Sequence, residues 1–408
     1  MSSRPRVALM LDLRWPYKRH QAVFAGTQRY AEEAGWETIL DEYAADNLPT
    51  RRSGPLPYDG IIARANRKLA EKSKRLGIPV VNVWFTSPVW KELPGVFADF
   101  VASGRLRAEH LLSRGLRRFA ALSRVDRAAK VEVASFRATV EAAGCSCVVA
   151  KLPLEPMRTH AVQQESERRI NVWMGDWELP IGVFVYGDEM GRMVAQICRR
   201  RGLRVPQDVA ILTGANEETI CKHPRPSLSS VELGHERIGY DAARLLDELM
   251  RQPNARSESP LRHVFVPPQG LIVRESTDFM VVDDPLVAAA MTFIATHSHR
   301  RLGQEDVARA VHTETRTLQR HFRRVLDRPI AAMIRQARFE RAKRELVQTD
   351  RSLKEIAHDV GFGEAARMND VFRRELGVTP SEYREARQIA QKPQPERRSF
   401  NPKTSKTP

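Results

Sequence analysis

The sequence predicts a doubly wound α/β N-terminal part in two lobes, joined to an all-α C-terminal domain that carries two helix-turn-helix units. Three observations point there. Short apolar runs alternate with amphipathic stretches up to about residue 275, the β texture stops after Asp278, and one helix-break-helix pattern occurs twice in the last third of the chain.

The predicted strands are Val7 to Leu11, Gly60 to Ala63, Val80 to Val83, Phe119 to Leu122, Val183 to Val185 and Val209 to Leu212. Each is short, apolar and bounded by Pro, Gly or Asp, as suits a strand covered on both faces of a parallel sheet. Between them the apolar spacing is helical over Ala22 to Ala34, Val101 to Ser113, Val131 to Ala143, Glu189 to Arg201 and Arg237 to Met250. Val264-Phe265-Val266 before Pro267-Pro268 is extended, because proline denies helix to the residue before it. The expected organisation is a two-lobed domain over 1–277, a linker over 278–285, a helical domain over 286–390 and a disordered basic tail over 391–408. Asp284-Pro285 has the form of an N-cap followed by proline at the first helical position.

Within the helical domain, Gly303 to Val311 and Arg316 to Val325 form the first helix pair, with a break at His312 to Thr315. Leu353 to Val360, the break Gly361-Phe362-Gly363 and Glu364 to Leu376 form the second. Leu318, Phe322 and Val325 share one face of the first recognition helix; Met368, Val371, Phe372 and Leu376 are expected to do the same in the second. That leaves Arg316, Gln319, Arg320 and Arg323 outward on one helix, and Arg367, Asn369, Arg373 and Arg374 outward on the other. Arg and Gln can bond base edges in a major groove, and the remaining arginines suit phosphates. Two such helices on one chain can occupy successive major-groove faces about 34 Å apart. Ile330 to Leu346, apolar at Ile330, Ile334, Ala337 and Ala342, is the helix expected to connect them.

The charge agrees. The chain has 66 Lys+Arg against 50 Asp+Glu, a net +16. Residues 285–390 hold 20 basic against 14 acidic side chains, and the tail from 391 holds 5 against 1. Such a balance favours a polyanionic partner, double-stranded DNA in particular. A membrane is excluded as partner because no apolar run approaches the roughly 18 residues of a spanning helix. Cys145, Cys147, Cys198 and Cys221 form no CxxC pair, which fits a reducing cytoplasm without structural zinc. His297, His299 and His312 lack a metal-ligand spacing, so no metal is expected. No cofactor is expected either: GxSxG, HExxH, the Walker lysine and GxGxxG are all absent, and no catalytic residue is assigned.

The stretch Ile356-Ala357 … Gly361-Phe362 … Phe372-Arg373-Arg374 … Gly377-Val378-Thr379-Pro380 … Tyr383-Arg384 resembles the signature of the AraC family of transcription regulators. The match covers about a hundred residues and has three departures: His312 stands where the family's first turn usually has glycine, Met368 replaces the usual aromatic, and Asp370 sits where many relatives carry Arg. A carboxylate near phosphates repels them, so the first recognition helix is the expected base reader. AraC-type readers also occur fused to alkyl-transfer repair domains. That keeps open an enzyme reading through Cys145 or Cys147, although Gly144 and Val148-Val149 around them look like a helix end entering a strand.

The N-terminal part is similar to the LacI-type periplasmic-binding fold. The resemblance rests on Val7 to Leu11, Gly26, Asp59-Gly60-Ile61-Ile62, Gly77-Ile78-Pro79-Val80-Val81, Asp99 before a helix ending His110-Leu111, and Gly115. It continues through Asp188, Val205-Pro206-Gln207-Asp208-Val209-Ala210-Ile211, Pro226-Ser227-Leu228-Ser229-Ser230-Val231 and Ile238-Gly239. A LacI-type sensor ahead of an AraC-type reader resembles the xylose-operon regulators. The resemblance implies a sugar effector, D-xylose or a relative, a homodimer partly through faces such as Val101 to Leu112, an operator DNA and contact with the transcription machinery. It also implies effector ligands at Asp99, Asp188 and Asn216, with Arg19 from the loop after the first strand. Where sugar-binding relatives place an Arg and an Asp, this sequence has Glu132 and Ala215. The effector is therefore xylose, another polyol or, if the sensor only dimerises, none.

Overall fold

A computed structural model describes residues 4–14, 17–52, 54–152, 159–251, 261–281, 284–297, 302–326, 328–349 and 351–389. The chain divides into two compact units, Met1–Val281 and Val282–Pro408.

The first unit is two α/β lobes. One lobe is built on β1 (Arg6–Met10), α1 (Lys18–Ala34), β2 (Glu37–Leu40), α2 (Ala44–Asn47), β3 (Gly60–Ala63), α3 (Arg67–Leu76), β4 (Val80–Asn82) and β5 (Gly95–Ala98). The chain then crosses into the other lobe, α4 (Phe100–Ser113), β6 (Arg118–Arg124), α5 (Arg127–Ala142), β7 (Ser146–Leu152), α6 (His160–Trp173), β8 (Ile181–Val185), α7 (Asp188–Arg200), β9 (Val209–Thr213), α8 (Glu218–Lys222) and β10 (Ser229–Glu232). It returns with α9 (His235–Arg251) and β11 (His263–Val266), and crosses once more to β12 (Gly270–Ile272). The two six-stranded sheets run β11-β5-β4-β3-β1-β2 and β12-β10-β9-β8-β6-β7. All pairings are parallel except β10 with β12.

Every residue of β3, β8 and β9 is buried, since helices cover both faces of each sheet. β10 is buried yet polar. Its Ser229 bonds to the backbone of Arg274 and the hydroxyl of Thr277, and Ser230 bonds to Asp188, so the desolvated hydroxyls are satisfied. α1 and α9 pack closely, glycine against backbone. A methyl added at Gly26 would overlap the Glu236 carbonyl, and one at Gly239 the Val23 carbonyl.

Residues 278–281, assigned to the linker from sequence, pack on the first unit: Val281 N donates to Arg114 O at 2.7 Å, and Phe279 and Val281 lie against the core around Phe119 and Phe136. The tail over 391–408 lies outside the described residues.

The second unit is helical: α10 (Pro285–Thr296), α11 (Gln304–Ala310), α12 (Thr315–Leu326), α13 (Ile330–Gln348), α14 (Leu353–Val360), α15 (Ala365–Leu376) and α16 (Pro380–Ile389). Asp284 caps α10 by accepting from the backbone N–H groups of Leu286 and Val287. There are two small cores. Leu318 and Phe322 of α12 join Val287, Ile294, Val307, Ile330 and Ile334 in one. Met368 and Phe372 of α15 join Phe339, Ala342, Leu346, Ile356 and Val360 in the other. α13 therefore supplies a wall to both and links the two helix-turn-helix units. The expected inward position of Leu376 needs correction. It is the last residue of α15, directly before the left-handed Gly377, and it is 40% exposed.

Candidate functional site

In an open α/β sheet, ligands seat outside the carboxyl ends of the strands. Here those ends from the two lobes meet. Tyr17, just before α1, donates its hydroxyl to Glu189 of α7 at 2.8 Å, and Lys18 Nζ pairs with Glu232 at the end of β10, 2.7 Å away. The Lys18 backbone N–H donates to the Glu217 carboxylate. Farther along the cleft, Arg127 of α5 lies 4.3 Å from the centre of the Trp90 ring.

Of the four expected effector ligands, Arg19 stands in the first turn of α1 at this junction. Its charge acts on groups of both lobes, including Arg64 and His235 on one side and Glu217 and Tyr186 on the other. Asp188 is buried and accepts four bonds: from Thr213 Oγ1 and Ser230 Oγ at one oxygen, and from the N–H groups of Ala215 and Glu217 at the other. Those bonds order the loop between β9 and α8. Asn216 lies in that loop in the left-handed region (φ 57°), donates to Glu232 and accepts from Arg274 at 2.6 Å. Asp99 caps α4 at the first crossing between lobes, accepting from Ala102 N–H at 2.8 Å.

Glu132, aligned by resemblance with a sugar-binding arginine, is spent inside its own lobe. It is 1% exposed and pairs with Arg107 at 3.0 Å while accepting from Ser103. Arg107 in turn donates to the carbonyls of Thr213 and Gly214, the root of the Asn216 loop.

Arg64, Trp84, Tyr17 and Lys18 were not selected from the sequence. Arg64 is the first residue after β3 and holds its guanidinium over the Trp84 ring, 4.5 Å from the centroid. The available signal was position: residues directly after parallel strands line the crevice. Burial, then the Arg19 charge, lowers the Arg64 pKa to about 10.

In the second unit Arg316, Arg320 and Arg323 of α12 are exposed on the face opposite Leu318 and Phe322. Gln319 is half-buried and donates to Gln304 of α11 at 2.8 Å. His321 and Arg324 both bond the Asp284 carboxylate, tying α12 to α10. On α15, Arg367 and Arg373 are exposed and Asn369 is half-buried; Asp370 is exposed beside them, and Arg374 pairs with Glu375 at 3.0 Å. His312 takes the left-handed conformation (φ 52°) at the first turn, and Gly361 takes it (φ 94°) at the second. The two turns are thus built alike, the first with a residue that tolerates that region less readily.

Burial pushes the thiols of Cys147, Cys198 and Cys221 up to about 12. Among the described residues no three His, Cys, Asp or Glu side chains gather as a metal site, and no helix is long and apolar enough to cross a membrane. His299 lies outside the described residues.

Three histidines give the first unit a pH dependence. Burial lowers His20 and His110 to about 4 and His235 to about 3; His20 Nδ1 sits 2.6 Å from Asp12 O, and His110 Nε2 sits 2.9 Å from Thr277 Oγ1. All three are neutral in the fold at pH values where the unfolded chain, with histidine near 6.5, takes up protons. Stability is therefore full above about pH 6.5 and falls as pH drops toward 4, by up to about 2 kcal/mol at pH 5 from His20. Thermal melts from pH 7 to 5 check this, and His20→Asn should make the dependence shallower. A melting temperature independent of pH in wild type would contradict it.

Residues 108–277 match the family described as periplasmic binding protein-like domain, and residues 307–386 match the helix-turn-helix domain. Over 388 residues, 93% of this chain and 98% of the relative, the sequence is 28% identical to the xylose operon regulatory protein of Haemophilus influenzae. It is 26% identical over 393 residues to the protein of the same name from Escherichia coli K12, covering 94% and 98% of the two chains. A solved structure titled as the xylose-binding transcription activator xylR superimposes with a TM-score of 0.65 at 25% identity, covering 94% of this chain and 99% of that one. The chain is therefore a homologue of the xylose operon regulators, with a periplasmic-binding-protein-like domain ahead of a helix-turn-helix domain.

Proposed function

We propose that this chain is a cytoplasmic transcription regulator that binds operator DNA through α12 and α15 and responds to a sugar-class effector bound between the lobes of its first unit. The observation that carries the reading is the pairing, on one chain, of a two-lobed cleft with two helix-turn-helix units whose exposed faces bear Arg316, Arg320, Arg323, Arg367 and Arg373. Arg19 is the effector ligand supplied by the first lobe. Asp188 and Asn216 shape the opposite wall, and Asp99 caps α4 where the chain crosses between lobes. The regulator acts as a homodimer, which presents two pairs of reading helices; Val101, 56% exposed, lies on a face that can pair. No catalytic step is assigned: of the two candidate thiols, Cys147 is pushed up to about 12 by burial and Cys145 is buried.

The test is selection of bound duplexes from a random DNA pool by the full chain, with and without candidate sugars. D-xylose comes first because the relatives carry its name. Recovery of a defined sequence with two half-sites, at a yield that changes with one sugar, supports the reading. Recovery governed by salt alone would leave only non-specific binding. In the same assay Arg320→Ala should cost about 1–3 kcal/mol and relax preference at one base position. Even weakening across all sequences would instead assign Arg320 to phosphate.

A further inference from the structure

We propose that Asp284 fixes the orientation of the first recognition helix and withholds Arg324 from DNA, raising base discrimination while lowering non-specific affinity. This rests on the reading of α12 as a DNA-binding helix and gives a role to residues outside its DNA face.

The two oxygens of the Asp284 carboxylate have separate tasks. Oδ1 caps α10, accepting from the N–H groups of Leu286 and Val287 at 3.1 and 3.2 Å. Oδ2 turns to another helix: it lies 2.7 Å from His321 Nδ1 and accepts from Arg324 at 2.8 Å, both on α12. An aspartate that served only as a cap would need the first oxygen alone. The side chain is 9% exposed, so salt screens this contact less than it screens pairs on the surface.

α12 is otherwise held by Leu318 and Phe322, buried on its inner face, and by the bond from Gln319 to Gln304 in its first half. Apolar packing is non-directional and does not by itself fix how the helix is rolled on that face. The charge-assisted bonds to Asp284 are directional, and they act in the second half of the helix, beside Arg320 and Arg323. Arg324 follows Arg320 by four residues, so its stem rises next to the arginine face. Its guanidinium is exposed, yet its charge is matched by Asp284. α15 is arranged differently. Its Arg374 pairs with Glu375 of the same helix, a contact that cannot fix α15 against a neighbour.

A bidentate bond to a base edge requires a guanidinium held in one orientation, whereas a phosphate contact carries no sequence information and rests mainly on charge. Loosening α12 therefore removes discrimination first. Releasing Arg324 supplies one more cation to the phosphates of any duplex.

The test is a set of binding isotherms of the full chain on selected and scrambled duplexes across a salt series. Asp284→Asn keeps an oxygen for the cap and puts an amide N–H₂, which cannot accept from Arg324, where Oδ2 stood. The expected result is a fall of about tenfold in the ratio of the two affinities, the scale of one good base contact. It comes with tighter binding to the scrambled duplex and a salt dependence steeper by about one phosphate. Arg324→Ala, an exposed change that spares the fold, should also lower the ratio but leave the salt dependence alone, because no cation is released. The inference is overturned if Asp284→Asn shifts both duplexes equally or leaves the salt dependence as in wild type, or if Arg324→Ala leaves the ratio unchanged. Phe322→Ala keeps that failure apart from failure of the underlying reading. A wild-type chain that binds both duplexes alike, or a Phe322→Ala chain that still discriminates, overturns the reading of α12 and the inference with it.

Discussion

Replacing Arg107 with alanine is expected to destabilise the first unit by about 3–5 kcal/mol, the range for removing one partner of a buried ion pair. Arg107 and Glu132 are each 1% exposed, and the guanidinium also donates to Thr213 O and Gly214 O and sits 4.7 Å from the Phe184 centroid. Alanine leaves Glu132 charged in the interior with Ser103 as its remaining bonded partner, and removes the donors from two loop carbonyls. Glu132→Ala should cost a similar amount by stranding the arginine. The double change Arg107→Met with Glu132→Leu should recover much of the loss, because both charges leave together and comparable volume is kept. It should not restore the effector response, since the Thr213 and Gly214 carbonyls at the root of the loop that carries Asn216 still lack the Arg107 donors. Urea unfolding of the full chain, followed by tryptophan fluorescence, reads the stability. If the double variant is no better than the singles, buried charge is not the source of the loss. Exposed pairs such as Arg168–Glu165 or Arg118–Glu178 offer no comparable lever, because solvent screens their charges.

The strands legible in the sequence were those buried on both faces. Gly60–Ala63 is β3 with the same limits, because four consecutive apolar residues have one use in a parallel sheet. β10 gave no such signal. Its Ser229 and Ser230 are buried only because Asp188, Arg274 and Thr277, distant in sequence, arrive to bond them. The helix-turn-helix faces were legible for a similar local reason: Leu318 with Phe322 and Met368 with Phe372 stand four residues apart, and the helical period puts each pair on one side. Leu376 failed at the helix end, where the chain turns away at Gly377 and the period no longer implies a neighbour.

The site was less legible because its charges are assigned by tertiary partners. Glu132 lies at the position aligned with a ligand contact, yet Arg107, twenty-five residues earlier, claims it. Arg64 and Trp84 come together only because β3 and β4 pair in parallel and deliver their following residues side by side.

Phe372→Ala should cost about 3–5 kcal/mol, and its consequences for DNA should differ from those of Phe322→Ala. Phe372 is fully buried, with Phe339 of α13 at 4.9 Å and Tyr383 of α16 at 5.6 Å between ring centres, so its loss frees α15 from both neighbours. Phe322 is the corresponding residue of the other core. The two cores share only α13, which gives Ile330 and Ile334 to one and Phe339, Ala342 and Leu346 to the other. Each substitution should therefore loosen mainly its own unit. α12 carries Arg316, Arg320 and Arg323 and no carboxylate, whereas α15 sets Asp370 beside its arginines and pairs Arg374 with Glu375. Base discrimination should accordingly survive Phe372→Ala, at lower affinity and with a shallower salt dependence as the phosphate contacts of Arg367 and Arg373 are lost. Phe322→Ala should abolish discrimination. Binding isotherms on selected and scrambled duplexes across a salt series separate the cases. If Phe372→Ala erases preference while Phe322→Ala retains it, the second helix is the reader, and the exposed Asp370 must then be accepting a hydrogen bond from a base rather than repelling the backbone.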